Sequence, residues 1–457
     1  MTQRKSRFVC LIMLMILACS SQGILALENQ YLYGYVEIGE ATTLVLINPH
    51  DLSAPAFRYS YPLPPEWHLG RSRTTANPYT KDIWVAAELN RGPSEYMIQI
   101  ANITTGFTKE FKLKSSDSRG EAFRWSSDGD KLAMIAGIDD IQADLYVYSL
   151  SEDTLVNLSK DNHMQINLSW SADNSKVATV SVVCEPAGTC EKQYSGLIDV
   201  YDIKSQARIY QLDLSSYTVS GNSACDLLFS QDAIAFTSYC YDQNIGYAML
   251  PSDVYVWNLE ANRVDQVTDF GETALRTKSG LYAIYDYAWV DAESLLVGAD
   301  YHFINFDPQD GHQLLDYDLN GETQVISKEL GAGFSLNPVT NEIILRTRSP
   351  EFIITPELNN PPIQSLITQS STLQEITKSI TFSDIKVLDN IASLIWSPDG
   401  NVAYGLVLNK PGDYPVPTGD VIFFDAATHE TLSLTVTSDK EGLQIIPVGW
   451  VPAIPAK

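Results

Sequence analysis

An acidic stretch in the second half of the chain has oxygen-bearing side chains at the spacing of a metal-binding loop. Asp316, Asp318 and Asn320 alternate before Gly321, which fits the opening of a calcium loop, where alternating oxygens wrap one hard cation. The twelfth position of such a loop needs a bidentate acid, and Ser327 stands there. The same residues fit a strand that ends in an Asn-Gly hairpin. The hairpin is the favoured interpretation, with calcium binding by these three residues as the alternative, so no metal site is predicted.

Catalytic constellations are mostly missing. The sequence contains no G-x-S-x-G nucleophile elbow, no P-loop and no dinucleotide fingerprint. The six histidines are scattered along the chain, although His302 and His312 fall in one repeat unit and could approach each other. Turn or surface positions are the favoured interpretation for them. The sequence therefore predicts no catalytic residue and no cofactor.

Four cysteines follow the N-terminal region, namely Cys184, Cys190, Cys225 and Cys240. In an exported chain, this even number favours two disulfides, with three possible connectivities. A two-residue turn at 232–233 would place Cys225 opposite Cys240 across a hairpin, within disulfide reach. Cys184 and Cys190 would close a small loop. Free buried thiols are the alternative for each pair, and the CxxC spacing of a zinc site is absent.

The N-terminus has the pattern of an export signal. Arg4, Lys5 and Arg7 precede an apolar run over 8–18, which is too short to span a bilayer. The run ends in Ile16-Leu17-Ala18-Cys19, which resembles the bacterial lipobox. We therefore predict a signal peptide over 1–18, a lipid anchor on Cys19 and a linker over 19–30. Ordinary cleavage after Ser20 or Ala26 is the alternative.

Composition limits the class of partner. Asp and Glu number 56 against 30 Lys and Arg, a net charge of −26 that becomes more negative once the basic N-terminal segment is removed. This charge argues against nucleic acid and anionic lipid surfaces as partners. The apolar fraction of 45% is ordinary for a folded globular protein.

A repeat runs through the remaining chain. Its strongest copies begin at Trp125, Trp170 and Trp396, each followed by Ser, any residue, Asp, and Gly or Asn. Weaker copies lie near 76, 229, 289 and 336. In each unit an apolar strand ends at the aromatic residue, the Asp-Gly or Asp-Asn pair favours a tight hairpin, and three more apolar strands follow. Four antiparallel strands in each unit of about 45 to 60 residues are typical of a propeller blade.

The two ends of the repeat region complement each other. Residues 446–452 look like one more first strand, while 31–64 offer three strands with no first strand before them. Together they would form one blade and close the ring. Counting first strands predicts eight blades in a single all-β domain over 31–457. Seven is the alternative, because 330–385 is the poorest repeat.

The Trp-Ser-x-Asp-Gly units resemble the propeller repeats of the TolB family and of related WD-like bacterial lipoproteins. This resemblance covers nearly all of the chain beyond the N-terminal segment. It implies an extracytoplasmic propeller, and a role in envelope assembly as one possible function. It is specific for the fold rather than for the activity, because propellers support binding, scaffolding and catalysis alike.

Loop length provides the main functional signal. The connections between second and third strands are long at 184–195, 240–252 and 409–419, and they carry Tyr241, Tyr247 and Tyr414. Long aromatic loops on one face of a rigid scaffold favour a binding surface. We therefore predict a non-catalytic, membrane-tethered module that binds a protein, peptide or glycan outside the cell membrane or in the periplasm. A glycan lyase or hydrolase with acids near the central channel is the enzymatic alternative.

Overall fold

A computed structural model of the chain describes residues 31–38, 41–54, 56–92, 94–114, 123–139, 143–161, 163–185, 192–193, 196–217, 225–237, 253–268, 281–303, 312–327, 334–341, 343–347, 386–389, 391–407, 421–434 and 444–452. Within these ranges the protein is all-β, and its only helical element is a 3₁₀ turn at Leu214–Ser216. None of the described segments forms a helix that is long and apolar enough to cross a membrane.

The strands form eight sheets that we number as blades in chain order. Blade 1 contains β1 (Tyr31–Ile38), β2 (Thr42–Ile47), β3 (Phe57–Ser60) and β32 (Gln444–Pro452). Blade 2 contains β4 (His68–Asn77), β5 (Trp84–Arg91), β6 (Glu95–Asn102) and β7 (Thr108–Leu113). Blade 3 contains β8 (Phe123–Trp125), β9 (Lys131–Ala136), β10 (Asp144–Ser149) and β11 (Thr154–Asn157). Blade 4 contains β12 (His163–Trp170), β13 (Lys176–Glu185), the short β14 (Lys192–Gln193), β15 (Leu197–Asp202) and β16 (Ala207–Asp213).

The second half of the chain repeats this order. Blade 5 contains β17 (Cys225–Phe229), β18 (Ala233–Thr237), β19 (Val254–Asn258) and β20 (Arg263–Gln266). Blade 6 contains β21 (Leu281–Trp289), β22 (Ser294–Phe303), β23 (His312–Asp318) and β24 (Thr323–Ser327). Blade 7 contains β25 (Phe334–Leu336), β26 (Ile343–Thr347) and β27 (Lys386–Asp389). Blade 8 contains β28 (Ile391–Trp396), β29 (Val402–Val407), β30 (Val421–Asp425) and β31 (Thr431–Leu434).

The predicted propeller fold is confirmed. Among the described residues, seven blades have four antiparallel main strands, and the eighth sheet, blade 7, has three strands, of which β26 and β27 run parallel. Blade 7 falls in the segment where the sequence repeat is poorest. In the part of the chain that the structure describes, the ring has seven four-stranded blades and a three-stranded sheet between blades 6 and 8.

Closure of the ring also follows the prediction. β32 pairs antiparallel with β1 from Tyr31 opposite Pro452 to Ile38 opposite Gln444, so the last strand is the inner strand of blade 1. Val448 packs into the core shared with blade 2. Trp450 packs against Tyr404 of blade 8. The terminal strand therefore contributes to the core on both sides of the blade that it completes.

The blades pack through both faces of their sheets. In blade 4, Val177 and Tyr201 join the core shared with blade 3, whereas Ala178 and Val200 join the core shared with blade 5. Successive strand residues point to opposite faces. This explains why the strands are apolar nearly throughout, and why a single blade would leave apolar surface exposed.

The repeat sequence forms the first hairpin of a blade. The buried Ser126 hydroxyl accepts the Lys131 backbone N–H at 2.9 Å and donates to the Asp128 carboxylate at 2.5 Å. Gly129 adopts a positive φ of 74° that closes the turn. Equivalent bonds form around Ser171 and Ser397. The Ser and Asp of the repeat are thus structural residues.

The repeat tryptophan joins neighbouring blades. Its indole N–H donates to a backbone carbonyl in the inner strand of the preceding blade, from Trp170 to Arg124 at 2.9 Å and from Trp289 to Leu228 at 3.0 Å. Trp450 makes the same bond to Ile395 at 3.1 Å across the closure. These hydrogen bonds connect blades 4 to 3, 6 to 5 and 1 to 8.

Blades 2 and 7 use an asparagine instead. Asn77 and Asn337 are fully buried, and each donates its side-chain amide to a turn glycine of the following blade, Gly129 or Gly400, at 2.8 Å. A Cβ on Gly400 would come within 2.4 Å of the Asn337 side-chain oxygen, so this approach requires glycine. The indole N–H groups of Trp125 and Trp396, which follow these two blades, have no hydrogen-bond partner.

This difference predicts unequal costs for the same substitution. Trp289→Phe should lower the free energy of unfolding by about 1 kcal/mol more than Trp125→Phe, because only Trp289 loses a hydrogen bond and leaves a carbonyl unpaired. Trp125→Phe removes an N–H that is already buried without a partner. Urea unfolding of both variants measures the difference. Equal losses, or a larger loss in Trp125→Phe, would contradict the role assigned to the indole bond.

Candidate functional site

The three long connections leave the ring on one face. They join the second and third strands of blades 4, 5 and 8, since β13 precedes β15, β18 precedes β19, and β29 precedes β30. In antiparallel blades these connections share a face with the links between blades, and the first hairpins lie on the other. We call these the loop face and the short-turn face. Tyr241, Tyr247 and Tyr414 lie outside the described residues, so their role stays a prediction.

The first hairpin of blade 5 corrects one prediction. Ser230 N–H donates to the Ala233 carbonyl at 2.8 Å, so the turn is 231–232, one residue earlier than expected. Ala233 is fully buried and belongs to the apolar strand, which explains the shift. A bulge then places Cys225 opposite Thr237. The prediction that Cys225 faces Cys240 across regular pairing is therefore wrong.

The disulfides themselves stay predictions. Cys190 and Cys240 lie outside the described residues. The backbone of Cys184 lies near the end of β13, opposite Gln193 of β14, at the base of the first long connection. Cys225 begins the inner strand of blade 5.

The calcium-loop alternative coincides with an observed hairpin. The Asp318 carboxylate accepts the backbone N–H groups of Asn320 at 2.9 Å and Glu322 at 3.1 Å, and Gly321 has a φ of 94°. Asp316 lies on β23, where one of its carboxylate oxygens is buried without a partner. Burial, together with the Asp291 and Asp318 charges, raises the pKa of Asp316. The carboxylate of Asp318 is thus used by the turn.

His302 and His312 lie on neighbouring strands of blade 6. His312 stands opposite Asp300 on β22, two residues before His302. The backbone therefore brings these histidines into adjacent strands, as the sequence suggested.

The described residues contain one group of three potential metal-ligating side chains that the sequence did not single out. Asp161 lies on the connection into β12, His163 is the first residue of β12, and Asp199 lies in β15. One ligand atom from each lies within 4.8 Å of the other two. We call this group the blade 3–4 cluster, because Asp199 lies on the side of blade 4 that faces blade 3. Both the connection into β12 and the adjacent end of β13 belong to the loop face.

Asp199 is held rigidly in a polar row across blade 4. It is fully buried, and its carboxylate accepts hydrogen bonds from the Ser181 hydroxyl and from the Gln211 amide at 2.8 Å. Arg208 Nη1 lies 3.3 Å from the same carboxylate. Blades 3 and 5 carry tyrosines, Tyr146 and Tyr255, at the equivalent position of the third strand, as the registers show. A buried aspartate here is a departure specific to blade 4.

Asp161 and His163 complete the cluster with unpaired atoms. Asp161 Oδ1 accepts the His163 backbone N–H at 3.0 Å. Asp161 Oδ2 lies 3.7 Å from His163 Nδ1 and 3.8 Å from Arg208 Nη1, too far for a hydrogen bond. Burial raises the pKa of Asp161 and the Asp199 charge adds to the rise, while His163 and Arg208 oppose it. Both Asp161 Oδ2 and His163 Nδ1 are buried without a hydrogen-bond partner.

The Tyr201 hydroxyl is the third unpaired group at this place. The side chain is 2% exposed and its oxygen has no partner. Burial raises the pKa of Tyr201, and the charges of Asp199, Asp161 and Asp144 raise it further. Tyr201 lies two residues after Asp199 in β15, so both side chains are on the same face of that strand. An arrangement of two carboxylates, one imidazole and one phenol can bind a cation or exchange a proton.

A second histidine–aspartate pair lies on the short-turn face. His50 Nδ1 is 3.0 Å from Asp425 Oδ2, where blade 1 meets blade 8. Burial raises the pKa of Asp425, but hydrogen bonds from Thr428 and His50 outweigh it, so the pKa is lowered. The two side chains of this pair are within hydrogen-bond distance, in contrast to those of Asp161 and His163.

Comparison with known proteins gives similarity of fold only. The sequence matches no protein-family model and no curated protein. The tricorn protease is similar at 11% identity over 63% of this chain and 28% of that chain, with a TM-score of 0.37. The propeller domain of the Trilobed protease from Pyrococcus furiosus is similar at 11% identity over 82% of this chain and 85% of that domain, with a TM-score of 0.41. TolB from Acinetobacter baumannii is similar at 13% identity over 65% and 63% of the two chains, with a TM-score of 0.30.

The unpaired carboxylate of Asp316 gives a prediction for stability. Asp316→Asn should raise the free energy of unfolding by about 1 kcal/mol near neutral pH, because a buried charge without a partner is removed. The pKa of Asp316 is higher in the folded protein than in the unfolded chain, so stability falls as pH rises through that interval. The gain should therefore disappear in acid, where the carboxyl is protonated in both states.

Urea unfolding with and without calcium measures this effect. Asp318→Asn is the matched control, and it should lower stability because two backbone N–H groups lose their acceptor. If Asp316→Asn is destabilising only when calcium is present, the calcium-loop interpretation is correct and the hairpin interpretation fails.

Proposed function

We propose that this protein is an exported, membrane-tethered β-propeller that acts as a non-catalytic binding or scaffold module for a protein, peptide or glycan. The observation that carries the proposal is the asymmetry of the ring. Three blades have connections of more than ten residues on the loop face, whereas the first hairpins on the short-turn face are tight turns stabilised by the Ser and Asp of the repeat. Variable length on one face of a rigid scaffold is typical of a binding surface.

The composition of these connections suits such a partner. The segment 240–252 contains Tyr241 and Tyr247, and the segment 409–419 contains Tyr414 beside two prolines. Tyrosine offers flat, amphipathic contact area to a peptide or a sugar ring. Proline and disulfides would limit the freedom of the loops and reduce the entropy lost on binding.

The blade 3–4 cluster is the observation that favours a catalytic alternative, a glycan lyase or hydrolase. A histidine beside two carboxylates is suited to acid–base chemistry in principle. However, Asp199 is fully buried and receives three hydrogen bonds, which separates it from a substrate in solution. The binding role accounts for more of the structure.

The loop face predicts which substitutions weaken binding. A partner would first be captured from detergent-solubilised envelopes with the wild-type protein and then measured by titration. Tyr241→Ala, Tyr247→Ala or Tyr414→Ala should weaken its binding by about tenfold or more, as expected when a buried aromatic contact is truncated.

Exposed aromatics on the short-turn face provide the matched controls. Tyr79 and Phe107 are each 43% exposed and lie in turns on that face. Tyr79→Ala and Phe107→Ala should leave the affinity unchanged. Loss of binding in these two variants alone, with the fold intact, would place the site on the opposite face.

The membrane anchor is tested separately. Cys19→Ser should release the protein from the membrane fraction, because the residue that would carry the lipid is replaced. Cys10→Ser, within the same apolar run, should leave the protein in that fraction. Fractionation and N-terminal sequencing decide the matter. A wild-type protein that is already soluble, with a mature N-terminus beyond residue 19, would contradict the lipid anchor.

A further inference from the structure

We propose that Asp161, His163 and Asp199 bind one divalent transition-metal cation at the junction of blades 3 and 4. Their three ligand atoms lie within 4.8 Å of one another, which leaves room for a shared ion between them. Asp161 comes from the connection into β12, His163 from the first position of β12 and Asp199 from β15, so the ion would join the entry of blade 4 to its third strand. This site is independent of any partner on the loop face.

The unpaired atoms are the first argument for an ion. Asp161 Oδ2, His163 Nδ1 and the Tyr201 hydroxyl are all inaccessible to solvent and have no hydrogen-bond partner. Buried polar groups are normally satisfied, so three unpaired ones in one place call for a bound species. The Tyr201 side chain is 2% exposed, and the Asp161 and Asp199 charges act on its hydroxyl. Tyr201 lies on the same face of β15 as Asp199 and offers a further oxygen on that face.

Charge balance is the second argument. Four charged groups act on the Tyr201 hydroxyl, namely the carboxylates of Asp199, Asp161 and Asp144 and the guanidinium of Arg208. Three carboxylates therefore face one guanidinium. Asp144 is buried and its carboxylate accepts bonds from Asn157 and Ser159, so it stays close to the site. One divalent cation would neutralise the remaining charge.

The donor set selects the kind of metal. One imidazole nitrogen with carboxylate and phenol oxygens suits zinc or manganese better than calcium, which prefers an all-oxygen shell of six to eight ligands. Ser181 and Gln211 hold the Asp199 carboxylate from behind, which is the usual role of outer hydrogen bonds at a metal site. The site is thus organised around its most deeply buried ligand.

Arg208 is the competing cation. Its side chain is 42% exposed, and Nη1 lies between the two carboxylates, 3.3 Å from Asp199 and 3.8 Å from Asp161. Because it reaches the cluster from solvent, it can move away when a metal binds. Removing its charge should therefore strengthen metal binding.

The experiment measures metal content and affinity on the tag-free protein. After treatment with a chelator, the wild type should bind one equivalent of Zn²⁺ in a calorimetric titration, with Mn²⁺ weaker and Ca²⁺ weakest. His163→Gln and Asp161→Asn should each weaken Zn²⁺ binding by about tenfold to a hundredfold. Arg208→Gln should tighten it. Zn²⁺ should raise the melting temperature of the wild type by about 2–4 °C and have no effect on His163→Gln.

His50→Gln is the matched control, because it removes the other aspartate-paired histidine and should leave the stoichiometry and affinity unchanged. Both ligand variants replace half-buried side chains by near-isosteres, and circular dichroism confirms that they fold. The proposal is overturned if the wild type binds no Zn²⁺, or if His163→Gln and Asp161→Asn bind it as the wild type does. Unchanged or weaker binding in Arg208→Gln would likewise exclude an ion between the two carboxylates.

Discussion

Each blade of this protein must bury both faces of its sheet against its neighbours, and the remaining features of the fold follow from that constraint. Apolar packing alone is non-directional. Hydrogen bonds at the end of the inner strand fix the orientation of neighbouring blades. The indole N–H of one blade donates to a backbone carbonyl of the preceding blade, as Trp289 does to Leu228. Where an asparagine stands at the end of the preceding inner strand, the preceding blade supplies the donor instead. Asn337 of blade 7, for example, donates its side-chain amide to the Gly400 carbonyl of blade 8. The two arrangements solve the same problem, since each connects an inner strand to its neighbour close to the first hairpin.

The same local chemistry explains why the fold could be predicted from one sequence. The Ser, Asp and Gly of the repeat are needed within a single hairpin, so their spacing is visible without knowledge of the ring. All eight inner strands lie where the repeat predicts them, including β32. Blade 7 was the poorest repeat and has only three strands among its described residues, two of them parallel. The registers of the paired strands were harder to predict. The bulge after Cys225, for example, depends on packing between strands and leaves no short-range signal in the sequence.

The blade 3–4 cluster was not predicted, for a different reason. Asp161 and Asp199 are far apart in sequence, and their meeting depends on how the link between blades 3 and 4 approaches β15. The one available signal was Asp199 itself. At this position of the third strand, where the fold buries the side chain, the neighbouring blades have Tyr146 and Tyr255. Asp199 places a carboxylate there instead. Reading the repeats against one another, rather than each for its own pattern, would have identified that departure.

The position of the polar row connects the cluster to the loop face. Ser181 donates to Asp199 from β13, four residues before that strand ends at Glu185, and Asp161 lies on the neighbouring link between blades. A charge bound at the cluster would therefore act on the base of the first long connection and on the entry of blade 4 together. Stiffening the base of a loop lowers the entropy that the loop loses when it binds a partner. In blade 4, the aspartate that departs from the repeat thus lies in the strand that follows the first long connection.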